Sequence, residues 1–216
     1  MDYDYIINTA IAITKGFKVT YSLLFTTLLL SLPLGLLIAL ARISKTRLLQ
    51  YVSGTYIWLL RGTPLLLQVF FIYFGLPAFG ITFDSMTAAI VAFSLNYAAY
   101  FAEIFRSGIQ SIDRGQYESA DVLGLTYPQT MKRIIVPQMA KRVLPPVSNE
   151  VITLVKDTAL VFGIGLLDTL RTAQIIVTRD FNITAFIIAG IFYLINTLIL
   201  TIVFNRLEQK YSYYYD

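Results

Sequence analysis

From Val19 to Ala41 the chain runs 23 residues without a charged side chain. A helix of that length rises about 34 Å, enough to cross a hydrocarbon core of about 30 Å. Four more apolar segments follow. The second runs from Gly54 to about Ile81 and is interrupted by Arg61-Gly62-Thr63-Pro64. The third, Ser85 to Ala102, meets Glu103 and Arg106 at its far end. The fourth, about Val143 to Leu167, carries Glu150, Lys156 and Asp157 within it. The fifth, Phe181 to Asn205, is uncharged and stops at Arg206. The expected fold is all-α, a single membrane domain over residues 1–216 with five transmembrane helices. Composition agrees, since hydrophobic residues make up 56% and charged residues only 14%, against roughly 25% charged in soluble proteins. Too few charges remain to cover a surface facing water, and a bilayer supplies the apolar solvent instead.

The first span does not read as a cleaved signal peptide. Its apolar run exceeds the usual core of about 7–15 residues, and acidic Asp2-Tyr3-Asp4-Tyr5 stands before it. Residues 5–14 are expected to form a short interfacial helix.

The basic residues set the orientation. Arg42, Lys45 and Arg47 follow the first span, and Arg106, Arg114, Lys132, Arg133, Lys141 and Arg142 lie between the third and fourth. Arg206 and Lys210 follow the fifth. With five spans these clusters share one side, so the N-terminus lies outside and the C-terminus in the cytoplasm. Tyr211 to Tyr215 then form an aromatic tail at the inner interface. The net charge of +4 is spent on this orientation, and nucleic acid is not an expected partner. The chain has no Cys and no His, which removes thiolate metal sites and the commonest general base and metal ligand.

Residues 107–142 form the one long polar segment, expected to be a cytoplasmic loop. Ordinary connections have a median of about 4–6 residues, and longer ones tend to carry function. Gln116 to Met131 is rich in helix formers and broken by Gly124 and Pro128. It predicts a short helix, a turn, and a second helix leading into the next span.

Glu118-Ser119-Ala120, then Gly124, Ile134 and Pro137, resemble the EAA loop of ABC importer permeases. The spacing agrees throughout, with Ser119 at the second motif position and Val136 where the family has Leu. Arg61-Gly62-Thr63-Pro64 with Gln68 resembles the R-G-T-P-x-x-x-Q signature of permeases for polar amino acids. Glu103-Ile104-Phe105-Arg106-Ser107-Gly108-Ile109, Gly115-Gln116 and Lys156-Asp157-Thr158-Ala159-Leu160 are similar to further motifs of the same group, in the same order. The chain is thus identified as a member of the histidine, arginine and glutamine type of ABC importer permeases.

That resemblance implies a type I permease fold in a prokaryotic plasma (inner) membrane, surrounded by lipid. It implies three kinds of protein partner: a second permease subunit, identical or a sister chain; two cytoplasmic ATPase subunits; and an extracytoplasmic amino-acid-binding protein. No cofactor belongs to this chain, because ATP and Mg are held by the ATPase, and no catalytic residue is expected. Gln116, Glu118, Ser119, Ala120, Gly124 and Pro137 are the implied coupling residues. Small Ser119 and Ala120 would allow close approach of the ATPase, and Gly124 a turn that a Cβ hinders.

Ionisable groups at membrane depth are functional candidates by default. Asn96, Tyr100 and Glu103 share one helical face, as do Glu150, Thr153 and Asp157. The candidate substrate residues are Thr63, Pro64, Gln68, Asn96, Tyr100, Glu103, Asp157 and Thr158. Broken backbone at Thr63-Pro64 and near Thr158 would receive the head group, and the two acidic stripes a cationic side chain. A structural alternative stands beside this, in which Glu103 pairs with Arg61, Arg106 or Lys156. An ion-gradient-driven secondary transporter or channel would also use intramembrane carboxylates, though the five spans show no inverted repeat. A membrane enzyme is disfavoured by the absence of His, Cys and a G-x-x-x-x-G-K-[ST] loop.

Overall fold

The computed structural model of the chain describes residues 3–212. Tyr213, Tyr214 and Tyr215, and with them most of the expected aromatic tail, lie outside the described residues. The chain is a bundle of α-helices. α1 (Tyr3–Thr14) turns at Gly16 into α2 (Phe17–Ile43), and α3 (Arg47–Arg61) follows. α4 (Leu65–Phe70) continues through a π turn, Phe71–Gly75, and a 3-10 turn, Leu76–Phe79. α5 (Ser85–Gln110) leads to α6 (Arg114–Val122) and α7 (Tyr127–Thr130), which passes through a second π turn into α8 (Val136–Asp157). A 3-10 segment, Thr158–Ile164, precedes α9 (Thr169–Asp180) and α10 (Thr184–Ser212).

Among the described residues, three stretches are long and apolar enough to cross a membrane: Tyr3–Ile43, Ser85–Gln110 and Thr184–Tyr211. α3 and Leu65–Phe79 form a fourth only when taken together, and they are bent by 102°. The broken second segment of the sequence is therefore two arms set nearly at right angles. α8 falls outside this count because its length includes Lys141, Arg142, Glu150, Lys156 and Asp157.

Helices in lipid gain little from apolar burial against one another, so close packing of small residues must hold them. α2 and α5 meet in this way. Ala98, Ala99 and Ala102 are fully buried, and a Cβ added at Gly35 would stand 2.8 Å from the Cβ of Phe101. Gly16 does the same for the N-terminal turn, where a Cβ would come within 2.4 Å of the Thr169 amide nitrogen. Leu23, Phe93, Tyr97, Phe101, Leu154 and Val161 form the centre of the main core. α10 lies at the edge with only 6% of its most apolar window buried, which leaves its Leu and Ile side chains for lipid. The Tyr21 hydroxyl donates to Asn196 and ties α10 to α2. Asp84 caps α5 by accepting from the amides of Met86 (3.0 Å) and Thr87 (3.1 Å). The Thr87 hydroxyl and these amides hold its carboxyl below the usual carboxylate range.

α1 confirms a helix over residues 5–14. The polar segment also folds as the sequence predicts. α6 ends at Gly124, whose φ of 73° is left-handed and favours glycine, and α7 begins at the Thr126 cap and runs on into α8.

Candidate functional site

The site is built on the break between α3 and α4. Pro64 has no amide hydrogen and Gly62 closes the end of α3 with a bond to the Trp58 carbonyl, 2.9 Å. The last carbonyls of α3 need other donors. The Thr63 hydroxyl donates to Leu59 O at 2.8 Å. Leu60 O accepts from the Gln68 amide at 2.8 Å and from the Asn96 amide at 3.0 Å. Gln68 also donates to the Thr63 hydroxyl at 2.8 Å and accepts from Asn96 at 3.0 Å. A polar side chain of α5 thus completes the broken helix and fixes the loop between its arms.

Beside this loop lies a cavity of about 550 Å³. Arg61, Thr63 and Pro64 enter it from the break, Asn96, Tyr97 and Tyr100 from α5, and Glu150, Thr153 and Asp157 from α8. The Arg61 guanidinium sits over the Tyr100 ring, 5.1 Å from its centroid, an attractive cation–π geometry. Among the described residues, Arg61 makes no ion pair with Glu150 or Asp157, and Glu150 accepts no hydrogen bond. The Tyr97 hydroxyl donates to Asp157 Oδ2 at 2.7 Å. Ionised, two carboxylates face one guanidinium, so the cavity lining carries one negative charge in excess, and Lys156 acts on Asp157 from outside the lining.

Of the candidate substrate residues, Thr63, Pro64, Asn96, Tyr100 and Asp157 line this cavity. Gln68 stands behind them and holds the loop. Glu103 is turned away and accepts from Arg106 Nε at 3.0 Å, one of the pairings weighed from the sequence. Thr158 is fully buried and donates to Val155 O at 2.7 Å, so its side chain is spent inside its own turn. Arg61, Tyr97, Glu150 and Thr153 were not among the candidates. The Glu150-Thr153-Asp157 spacing pointed to two of them. Tyr97 gave no signal, since an aromatic between Asn96 and Ala98 reads as core.

At the other end of α5, Gln116, Glu118 and Ser119 are exposed on α6 while Ala120 is buried. Val122 and Leu123 project with 88% and 75% exposure. The Leu125 amide bonds Ala120 O at 3.0 Å and the Gly124 amide bonds Asp121 O at 2.8 Å, which closes the helix in a Schellman turn. Gln138 donates to Gln116 Oε1 at 3.1 Å, and Pro137 stands exposed in the first turn of α8. Beneath, Ile109, Ile112, Ile135, Met139 and Val143 form a small core separate from the main one. α6 is therefore carried on a packed unit made of the end of α5 and the start of α8. Among the described residues no cluster of His, Cys, Asp or Glu suits a metal ion.

Long apolar helices, a broken helix stabilised at membrane depth, a charged cavity and a projecting helix with bare Val and Leu define a membrane transport subunit. Residues 31–213 match the family described as "Binding-protein-dependent transport system inner membrane component". The chain belongs to that family, the permease components of ABC transporters. It is 41% identical to "Probable amino-acid ABC transporter permease protein YckA" of Bacillus subtilis (strain 168), over 99% of this chain and 98% of the relative. It is 40% identical to "Arginine transport system permease protein ArtQ" of the same organism, over 92% and 91%. Among solved structures it resembles one described as "Crystal structure of an amino acid ABC transporter with histidines", with a TM-score of 0.90 and 35% identity over 97% of this chain and 99% of that one. A methionine ABC transporter structure shares the fold at 18% identity and a TM-score of 0.74.

Proposed function

We propose that the chain is the translocation subunit of an ATP-driven importer of polar amino acids, and that its cargo has a cationic side chain. The observation that carries this reading is the unbalanced cavity of Arg61, Glu150 and Asp157. An amino acid offers one carboxylate and one ammonium, and a basic one adds a second cation. Arg61 suits the carboxylate, and Glu150 and Asp157 suit the two cations, so the complex is neutral. A neutral amino acid would leave one buried carboxylate uncompensated, which is costly at membrane depth. The names of the arginine permease and of the histidine-bearing structure support the same class.

In this reading residues 1–216 are one permease domain with five spans, α8 being the additional one, with the N-terminus outside and the C-terminus cytoplasmic. It works as a dimer, identical or with a sister chain, in a prokaryotic inner membrane. An extracytoplasmic binding protein delivers the amino acid, and two ATPase subunits hold ATP and Mg. The residue range 116–137 docks on the ATPase, with Glu118, Ser119 and Gly124 at the contact and Val122 and Leu123 as its apolar tip, while Ala120, expected at the contact from the sequence, is packed inside the chain. The separate core under α6 passes ATPase movement to α5 and α8, which both line the cavity.

Uptake of labelled arginine by cells carrying Glu150→Gln and Asp157→Asn tests the cargo. Each substitution is expected to lower arginine uptake at least about tenfold. Full uptake in both variants would refute the cationic assignment.

A further inference from the structure

Tyr97 is 2% exposed, and its ring lies between Phe93 and Phe101, with centroids 6.4 and 6.2 Å away. Such packing leaves the hydroxyl no freedom to move with a ligand. A phenylalanine would fill the same space without the cost of desolvating an O–H group. The hydroxyl spends its proton on Asp157 Oδ2 at 2.7 Å. Asp157 Oδ1 accepts no hydrogen bond among the described residues, and Asp157 lines the cavity.

We propose that Tyr97 is a specificity-determining positioning residue, which engages one oxygen of Asp157 and leaves it the weaker acceptor, so that a ligand is met chiefly by the other. This rests on the reading of the cavity as a site for basic amino acids. A carboxylate with both oxygens free favours guanidinium, whose planar donors pair with both at once. A carboxylate with one oxygen already accepting a hydrogen bond loses part of that bidentate advantage and serves a compact ammonium nearly as well. Tyr97 thereby widens the cargo from arginine to lysine and other ω-ammonium amino acids, while its charge-assisted bond keeps the carboxylate aimed at them. Glu150 also faces the ligand but accepts no such bond, so the effect belongs to Asp157.

The test is equilibrium binding of labelled arginine and labelled lysine to the purified permease–ATPase complex, in wild type, Tyr97→Phe, Asp157→Asn and the double variant. Tyr97→Phe is expected to leave lysine affinity nearly unchanged, because the lost Tyr97–Asp157 bond is made with and without ligand. Arginine binds more tightly, because its guanidinium recruits the freed oxygen, so the arginine-to-lysine preference rises at least about threefold. In the Asp157→Asn background the added Tyr97→Phe must leave the preference unchanged. A preference unaffected by Tyr97→Phe, or affected equally in both backgrounds, overturns the inference. Wild-type affinities for both amino acids in Asp157→Asn would instead sink the cavity reading itself. Where Tyr97→Phe does not assemble, 3-fluorotyrosine at position 97, a stronger donor of the same shape, must shift the preference toward lysine. An unchanged preference there overturns the inference equally.

Discussion

The Asn96 amide reaches Gln68 Oε1 and Leu60 O, each at 3.0 Å, so a residue of α5 completes the hydrogen bonding of a helix that α5 merely touches. The break at Gly62-Thr63-Pro64 is thereby a built element with a fixed shape. Its two arms can hold a right-angle bend because the carbonyls the bend exposes have donors.

Asn96→Ala and Gln68→Ala are expected to lose those donors. Each leaves Leu60 O with one donor instead of two, a cost of about 0.5–1.5 kcal/mol. Thermal unfolding of the detergent-purified protein should show a lower midpoint for both. The double variant should fall by more than the sum, since only there does Leu60 O lose both donors. Additive losses would count against a shared network.

Glu103 is paired with Arg106 on its own helix, with 27% of its side chain accessible. Glu103→Gln should therefore leave the choice between amino acids unchanged and cost less than about 1 kcal/mol. A change in arginine preference, measured by competition uptake against glutamine, would return Glu103 to the pathway.

Gly108 lies where α5 crosses α8 next to the α6 segment, and a Cβ there would come 2.2 Å from Val143 Cγ1. Val143 is β-branched and cannot swing aside. Gly108→Ala should push the two helices apart and cost about 1–3 kcal/mol. Because this crossing joins α6 to the cavity, ATP hydrolysis and uptake should separate. The expected result is ATPase turnover retained, with uptake per ATP reduced.

The tip of α6 offers a cleaner probe, because Val122 and Leu123 are exposed and support no core. Val122→Asp with Leu123→Asp should leave the stability of the isolated chain within about 0.5 kcal/mol of wild type. It should also abolish co-purification of the ATPase. Retained co-purification would place the contact elsewhere.

Some of this could be read from the chain alone. Gly-Thr-Pro after Arg61 announces a break, because proline removes a donor and bars the preceding residue from helix. The 102° bend was not visible, since it depends on Asn96 reaching across from α5. Spacing placed Asn96 and Tyr100 with Glu103 on one face, and Glu150 with Asp157 on another. Spacing cannot say where a face ends, and Glu103 falls beyond the cavity because Arg106 one turn on captures it. Arg61 belongs to the R-G-T-P motif, yet its place as the cavity's cation depends on the position of the Tyr100 ring. Thr158 looked like broken backbone at membrane depth, but the 3-10 turn uses its hydroxyl internally. The helix–turn–helix from α6 to α7 was the most legible part, because Gly124 and the flanking helix formers act locally.

The central claim is that the excess negative charge of the cavity selects a cationic amino acid. It is tested most directly by equilibrium binding of labelled arginine and labelled glutamine to the purified permease–ATPase complex bearing Glu150→Gln and Asp157→Asn together. Arginine affinity should drop at least about a hundredfold, one hydrogen-bonded charge pair being lost at each end. Glutamine, which loses only the pair at its α-ammonium, should fall clearly less, so arginine's advantage over it should shrink at least about tenfold. Arginine affinity equal to wild type would contradict the account.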